Sequence, residues 1–308
     1  MMKKPTMAAF SSKASIRSIS LPARSHPTTL RVEEELNKIK SWEASSSSTK
    51  VETICVGLSG LSELYRCIEE LLNLPLTQQA LAQHQHQKWF NDLLLESSLM
   101  YLDICGNTRD AILLMQETIQ ELQSGLRRIK VGDLSIESIV ITYNCSRRKM
   151  RKEIARSLAS LKPLGNEIEA FPMLNLDHHL SAVVRVLNET SLITSSIFHS
   201  FLLFLSVPML KPKPSRWSLV SKLVQKGLHV LASKDQHENM NELEGVDLAL
   251  NSLLMHNSSK DIEAQKIQSA QIKLDALDVS MKGLEKGLEC LFRHLIQTRV
   301  FGLNIISQ

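Results

Sequence analysis

Toward its carboxyl end the chain carries Ile267, Ala270, Leu274, Leu277, Met281, Leu284, Leu288, Leu291 and Leu295, alternately three and four residues apart. That spacing lays a continuous apolar seam along one side of a helix, and a strand with its period of two could not present it. Lys282, Glu285, Lys286, Glu289 and Arg293 stand beside the seam. So long a seam has to be covered, either by other helices of the same chain or by a second copy of itself. Packing within the chain is the expected use, with a homodimer through this heptad helix as the alternative, because the rest of the sequence supplies suitable partners.

Those partners are legible as further helical stripes. Proline is confined to nine positions, leaving Leu76 to Lys162 and Ser215 to Gln308 free of it, as long helices require. Thr28 or Thr29 is expected to cap a first helix whose opening turns carry Glu33 to Glu35, with Val32, Leu36, Ile39 and Trp42 on its apolar face. The run Ala44 to Lys50 reads as a connection. Ile54, Leu58, Leu61, Tyr65, Ile68 and Leu72 mark a second helix that stops near Pro75. Helical pattern then continues from Gln78 to about Lys130, with a break expected near Gly106, and resumes from Ser135 to Leu161. Helices are expected again from Leu174 to Val207 and from Ser215 to Ala232, and the polar segment Lys234 to Glu244 reads as a loop. The expected fold is therefore all-α: an elongated multi-helix bundle with long antiparallel helices, residues 30–308 forming one domain behind a flexible, basic, serine-rich arm of residues 1–29.

Charge adds little to this. Of the net +4, six basic residues (Lys3, Lys4, Lys13, Arg17, Arg24, Arg31) precede the first acidic one, Glu33, so the remainder is close to neutral. This balance does not point to nucleic acid. The five cysteines are scattered without CxxC spacing, which reads as a reducing compartment and small buried side chains, not a disulfide framework or a zinc site. No phosphate loop, nucleophile elbow, HExxH or kinase signature is present. Neither His84 with His86 nor His178 with His179 has the i, i+4 spacing of helical metal ligands. No catalytic residue, cofactor or metal is expected.

Two stretches carry candidate contacts. Arg147, Arg148, Lys149, Arg151 and Lys152, with Arg156 a turn later, form a basic cluster. It reads as a solvated face, with an anionic surface or peripheral membrane as its candidate ligand and no aromatic residues to stack bases. Arg127, Arg128 and Lys130 would join it if the two helices were neighbours. Thr190 to Leu210 contains no charged residue, long enough on paper to cross a bilayer, but its many hydroxyls favour buried core over membrane insertion.

The strings SISLPARSHPTTLRVEEELNKIKSWE, GLSGLSELY, LDICGNTRDAI with ELQSGLRR, and LEKGLECLFRHLIQTRV resemble successive blocks of the plant BYPASS-related proteins, over nearly the whole chain from about Ser18 to Ser307. The resemblance implies an all-helical protein connected with root and shoot development, thought to limit a mobile root-derived growth signal, and without an assigned biochemical activity or catalytic residues. His294 departs from the basic residue such as arginine expected at its position. The functional expectation is a non-enzymatic regulator or scaffold in the cytoplasm. A peripheral membrane protein, or a binder or enzyme acting on a mobile signal, is the alternative, and the acid-free amino terminus also resembles a plastid transit peptide. Within that arm Arg17, Ser18, Ser20 and Pro22 fit the phosphopeptide pattern read by 14-3-3 proteins, with Ser20 as the phosphorylated residue.

Overall fold

The computed structural model describes residues 26–45, 50–83, 90–128, 135–161, 178–209, 240–254 and 260–307. Among them every regular element is a helix: α1 (Pro27–Ser45), α2 (Val51–Leu72), α3 (Pro75–Leu81), a π-helical turn (Asn91–Glu96) that runs directly into α4 (Ser97–Arg128), α5 (Ser135–Leu161), α6 (His178–Leu205), α7 (Glu242–Leu253) and α8 (Lys260–Ile306). The helical stretches expected over residues 174–177 and 215–232 lie outside the described residues.

The heptad helix organises the bundle. α8 runs for 47 residues, about 70 Å, and lays its seam against α2 and α4, with α7 alongside. From Ala270 to Leu295 every seam residue is at most 1% exposed. The seam is thus covered within the chain, and a dimer would have to use another face of α8. Neighbours pack in both directions. Gln116 meets Glu285 and Gln123 meets Asp275, so α4 and α8 are antiparallel. Cys55 lies beside Gly283, Leu58 beside Gly287 and Glu69 beside His294, so α2 and α8 run in parallel. Gly287 permits this close approach: a β-carbon there would stand 3.2 Å from Leu58.

Local signals explain most boundaries and correct several expectations. α1 starts at Pro27, suited to a first helical position, and the cap is His26, whose Nδ1 accepts from the Thr28 amide at 3.2 Å; Thr28 and Thr29 are inside the helix. Gly106 does not break α4. A β-carbon there would meet nothing within 4 Å, so the glycine costs only its helix propensity. The irregularity falls instead at the π-helical turn, where Leu94 and Leu95 close against Gly302 of α8. The loop expected up to Glu244 ends at Asn241, where α7 begins with a complete capping box. Cys67 and Cys105 are buried as expected and Cys55 is partly covered, but Cys145 and Cys290 are exposed.

Candidate functional site

The inward face of α5 is Ile136, Val140, Tyr143, Arg147, Met150, Ile154, Ser157 and Leu161, again three and four apart, and all are buried. Arg147 therefore sits in the apolar stripe, 0% exposed. It cannot belong to a solvated or membrane-facing patch, which corrects its place in the expected cluster. A buried guanidinium needs a counter-charge and acceptors, and two other elements provide them. Nη2 donates to Asp247 Oδ2 of α7 at 3.4 Å and to the Val207 carbonyl at 3.3 Å, and Nη1 to the Leu205 carbonyl at 3.4 Å. Tyr143 donates its hydroxyl to the other Asp247 oxygen at 2.8 Å.

The carbonyls reached in this way belong to the end of α6, where the last turn has no helical partners and the dipole is negative. Asn241 Nδ2 donates to the Phe204 carbonyl at 3.0 Å, and Arg151 Nε to the Ser206 carbonyl at 3.0 Å. Two arginines of α5 and one asparagine thus satisfy four successive carbonyls. Asn241 also serves α7: its Oδ1 accepts from the Leu243 amide at 2.8 Å while Glu244 accepts from the Asn241 amide at 3.1 Å. One side chain closes one helix and opens the next. Burial, with Asp247 adding to it, drives the Tyr143 phenol well above its ordinary range, so it stays a proton donor. Arg147, Tyr143, Asp247 and Asn241 are buried, with Arg151 and Glu244 half-buried at the edge, and every group has a structural task, except that Arg147 Nε has no partner among the described residues.

What remains of the basic cluster lies on the opposite side of α5. Arg148, Lys149 and Lys152 are exposed and have no carboxylate partner among the described residues, whereas Arg156 is held by Glu153. Cys145 and Ile141, the latter 54% exposed, continue the same face one and two turns earlier. Arg127 and Arg128 do not join it. Gly125 is level with Ile139, and from that point the two groups diverge in opposite directions, about 16 Å apart along the hairpin.

The uncharged stretch from Thr190 is core. Thr190, Ser191, Ile193, Thr194, Ile197, Phe198, Phe201, Leu202, Phe204 and Leu205 are all buried, and Thr190 and Thr194 return their hydroxyls to the carbonyls four residues earlier, both at 2.7 Å. Tyr65 meets Thr194 at 3.2 Å, and Tyr101 donates to the Ser191 carbonyl at 3.0 Å while stacking on Phe198. Among the described residues no helix is long and apolar enough to cross a membrane.

Of the remaining sequence candidates, Arg17, Ser18, Ser20 and Pro22 lie outside the described residues, as do His84 and His86. His178 is exposed, and His179 Nε2 lies 3.0 Å from Thr77 Oγ1. No group of three or more histidine, cysteine or acidic side chains could hold a metal ion among the described residues. His294, where a basic residue was expected, places Nδ1 2.9 Å from Glu69 Oε1. Sequence reading missed Asp247 and Asn241, though the spacing Asn241 to Glu244 is itself a helix-start signature.

A family model described as Protein BPS1 matches residues 57–305. No curated protein and no solved structure matches the chain.

Proposed function

The chain belongs to the Protein BPS1 family, the BYPASS-related proteins, and from that premise we propose that it acts as a non-enzymatic regulator or scaffold in root and shoot development. Membership supports a plant developmental-regulation protein; the way of working is inferred from the surface. The observation that carries it is the outer side of α8, where Ile272 and Val279, seven residues apart, are 62% and 69% exposed. Large apolar side chains held in water on a rigid helix gain from being covered by a partner. Since the inner seam is already occupied, this outer ridge is the face offered to another protein, whether a second copy or a different chain.

The test is to exchange Ile272 and Val279 for aspartate, confirm unchanged helicity and melting, and compare the proteins retained from plant tissue by quantitative mass spectrometry. A defined set lost with both substitutions supports a scaffold; an unchanged set refutes it. The arm offers a second contact in the same reading. A peptide of residues 13–28 phosphorylated on Ser20 should bind a 14-3-3 protein above its unphosphorylated control, and equal binding of the two would remove that partner.

Arg148, Lys149 and Lys152 support a second reading, a peripheral contact with anionic membrane. Three such cations on one face contribute about 1 kcal/mol each near an anionic surface and are screened by salt. Sedimentation with phosphatidylserine vesicles should decline with salt and be lost when all three become glutamine; binding indifferent to either would exclude this face.

A further inference from the structure

A groove of about 420 Å³ lies on the outer surface between the ends of α2 and α8, with Glu69, Glu70 and Asn73 on one wall and Ile296, Val300 and Phe301 on the other. Ile296 and Val300 remain 41% and 49% exposed, although Leu288, Leu291 and Leu295 beside them are fully covered. The apolar wall is thus available to an occupant, and the rim is charged. Glu63 and Glu70 pair with Arg31 and Arg66, while Glu69 has only His294 against it, so the rim holds one carboxylate more than it holds arginines.

The entry point of the chain says which occupant can reach it. α1 runs against α2, with Arg31 Nη1 on Glu70 Oε2 at 2.9 Å, so Pro27 begins about one turn, ~6 Å, further toward the Asn73 end of the groove. Twenty-five residues precede His26. An extended chain covers ~3.4 Å per residue, which allows Leu21 to sit ~17 Å from His26. Crossing from α1 to the cleft beyond α2 takes one and a half helix spacings, about 14 Å. The chemistry also matches: Ile19, Leu21 and Pro22 are apolar, Arg17 and Arg24 flank them, and no acidic residue precedes Glu33. Pro22 brings no amide hydrogen into the apolar cleft.

We propose that this groove is the seat of the chain's own amino-terminal arm, with Leu21 and Pro22 over Val300 and Phe301, Arg24 beside Glu70 and Arg17 toward Glu69. Phosphate on Ser20 would place about −1.5 to −2 charges beside those carboxylates and expel the arm. This regulatory step rests on the reading of Ser20 as a phosphorylated docking residue, whereas the contact itself does not.

Full-length protein carrying benzoylphenylalanine at position 21 tests the contact, with the cross-linked peptides mapped after irradiation. The expected result is an intramolecular link to residues 66–73 or 296–301. Its yield should fall about tenfold in Val300→Asp, the loss that corresponds to removing ~1.4 kcal/mol of apolar contact, and similarly in Ser20→Glu. Val300 is half exposed, so its substitution leaves the bundle folded, which circular dichroism verifies. Links between two chains, links confined to other surfaces, or a yield insensitive to Val300→Asp would each overturn the proposal. A yield that responds to Val300→Asp but not to Ser20→Glu would overturn the phosphate step alone. Because no 14-3-3 protein takes part, failure here is distinct from failure of the phosphopeptide to bind one.

Discussion

Replacing Asp247 with alanine isolates the buried junction of α5, α6 and α7. The substitution leaves Arg147, 0% exposed, with two backbone carbonyls at 3.3 and 3.4 Å and no counter-charge. Removing one partner of a buried ion pair costs about 3–5 kcal/mol, because the remaining charge cannot be rehydrated. Two features place the value within that range. The pair is long, at 3.4 Å with a single nitrogen, which points to its lower end; Tyr143 loses a 2.8 Å bond to a carboxylate, which points upward. The expected loss is about 4 kcal/mol. Followed by circular dichroism in urea, it lowers the unfolding midpoint by about 1.3 M for an m value near 3 kcal/mol/M. Arg147→Met combined with Asp247→Leu removes both charges and keeps volume, so the double variant should be more stable than Asp247→Ala alone. A loss below ~1 kcal/mol for Asp247→Ala, or a double variant no more stable than it, would refute the clamp.

Other outcomes follow from the same packing. The chain has three tyrosines, all buried, and burial raises the phenols of Tyr65, Tyr101 and Tyr143 above their ordinary value. Such groups stabilise the fold fully below the unfolded pKa near 10 and withdraw that support as pH rises past it, at about 4 kcal/mol per unit for three phenols; tyrosinate absorbance should therefore appear only together with loss of helix, and an earlier independent titration would contradict the burial. Gly57→Ala puts a β-carbon 2.6 Å from the Trp42 ring and 3.3 Å from Ile197; overpacking of about 2 kcal/mol less ~1 kcal/mol of regained helix propensity leaves a net loss near 1 kcal/mol, read as a lower melting temperature. Cys145 and Cys290 should react with a thiol reagent in the native protein, and Cys67 and Cys105 only after denaturation.

The residues also explain what could be read in advance. The α8 seam was legible because nine apolar positions keep one spacing without interruption, and α2 for the same reason. The segment before α7 was obscure because polar composition masked the Asn241 to Glu244 signature; capping residues are polar by necessity, so a helix start is easily taken for loop. Gly106 misled in the other direction, since a half-buried glycine in a helix supported by packing costs only ~1 kcal/mol. The π-helical turn follows from the fit of Leu94 and Leu95 to α8, a tertiary cause with no local signature. Nor can a sequence announce that Arg147 will meet Asp247, 100 positions away.

The basic run on α5 shows how one composition yields two opposite roles. Consecutive helical residues are about 100° apart, so Arg147 and Arg148 cannot share an environment. The stripe of Tyr143, Met150 and Ile154 commits Arg147 to the core, where a positive charge at the end of α6 meets the dipole and the carbonyls of Leu205 and Val207. Its neighbour is then committed to water. Neutralising Arg147 must therefore act on folding whatever the protein binds, while neutralising Arg148, Lys149 and Lys152 leaves the clamp intact and acts only on contacts outside the chain. A loss of membrane or partner binding in the outer triple variant at unchanged melting temperature would assign the exposed half of the cluster to recognition. The same loss after Arg147→Gln would report nothing more than a disordered junction, and for that reason the buried arginine belongs in no mutational survey of the surface.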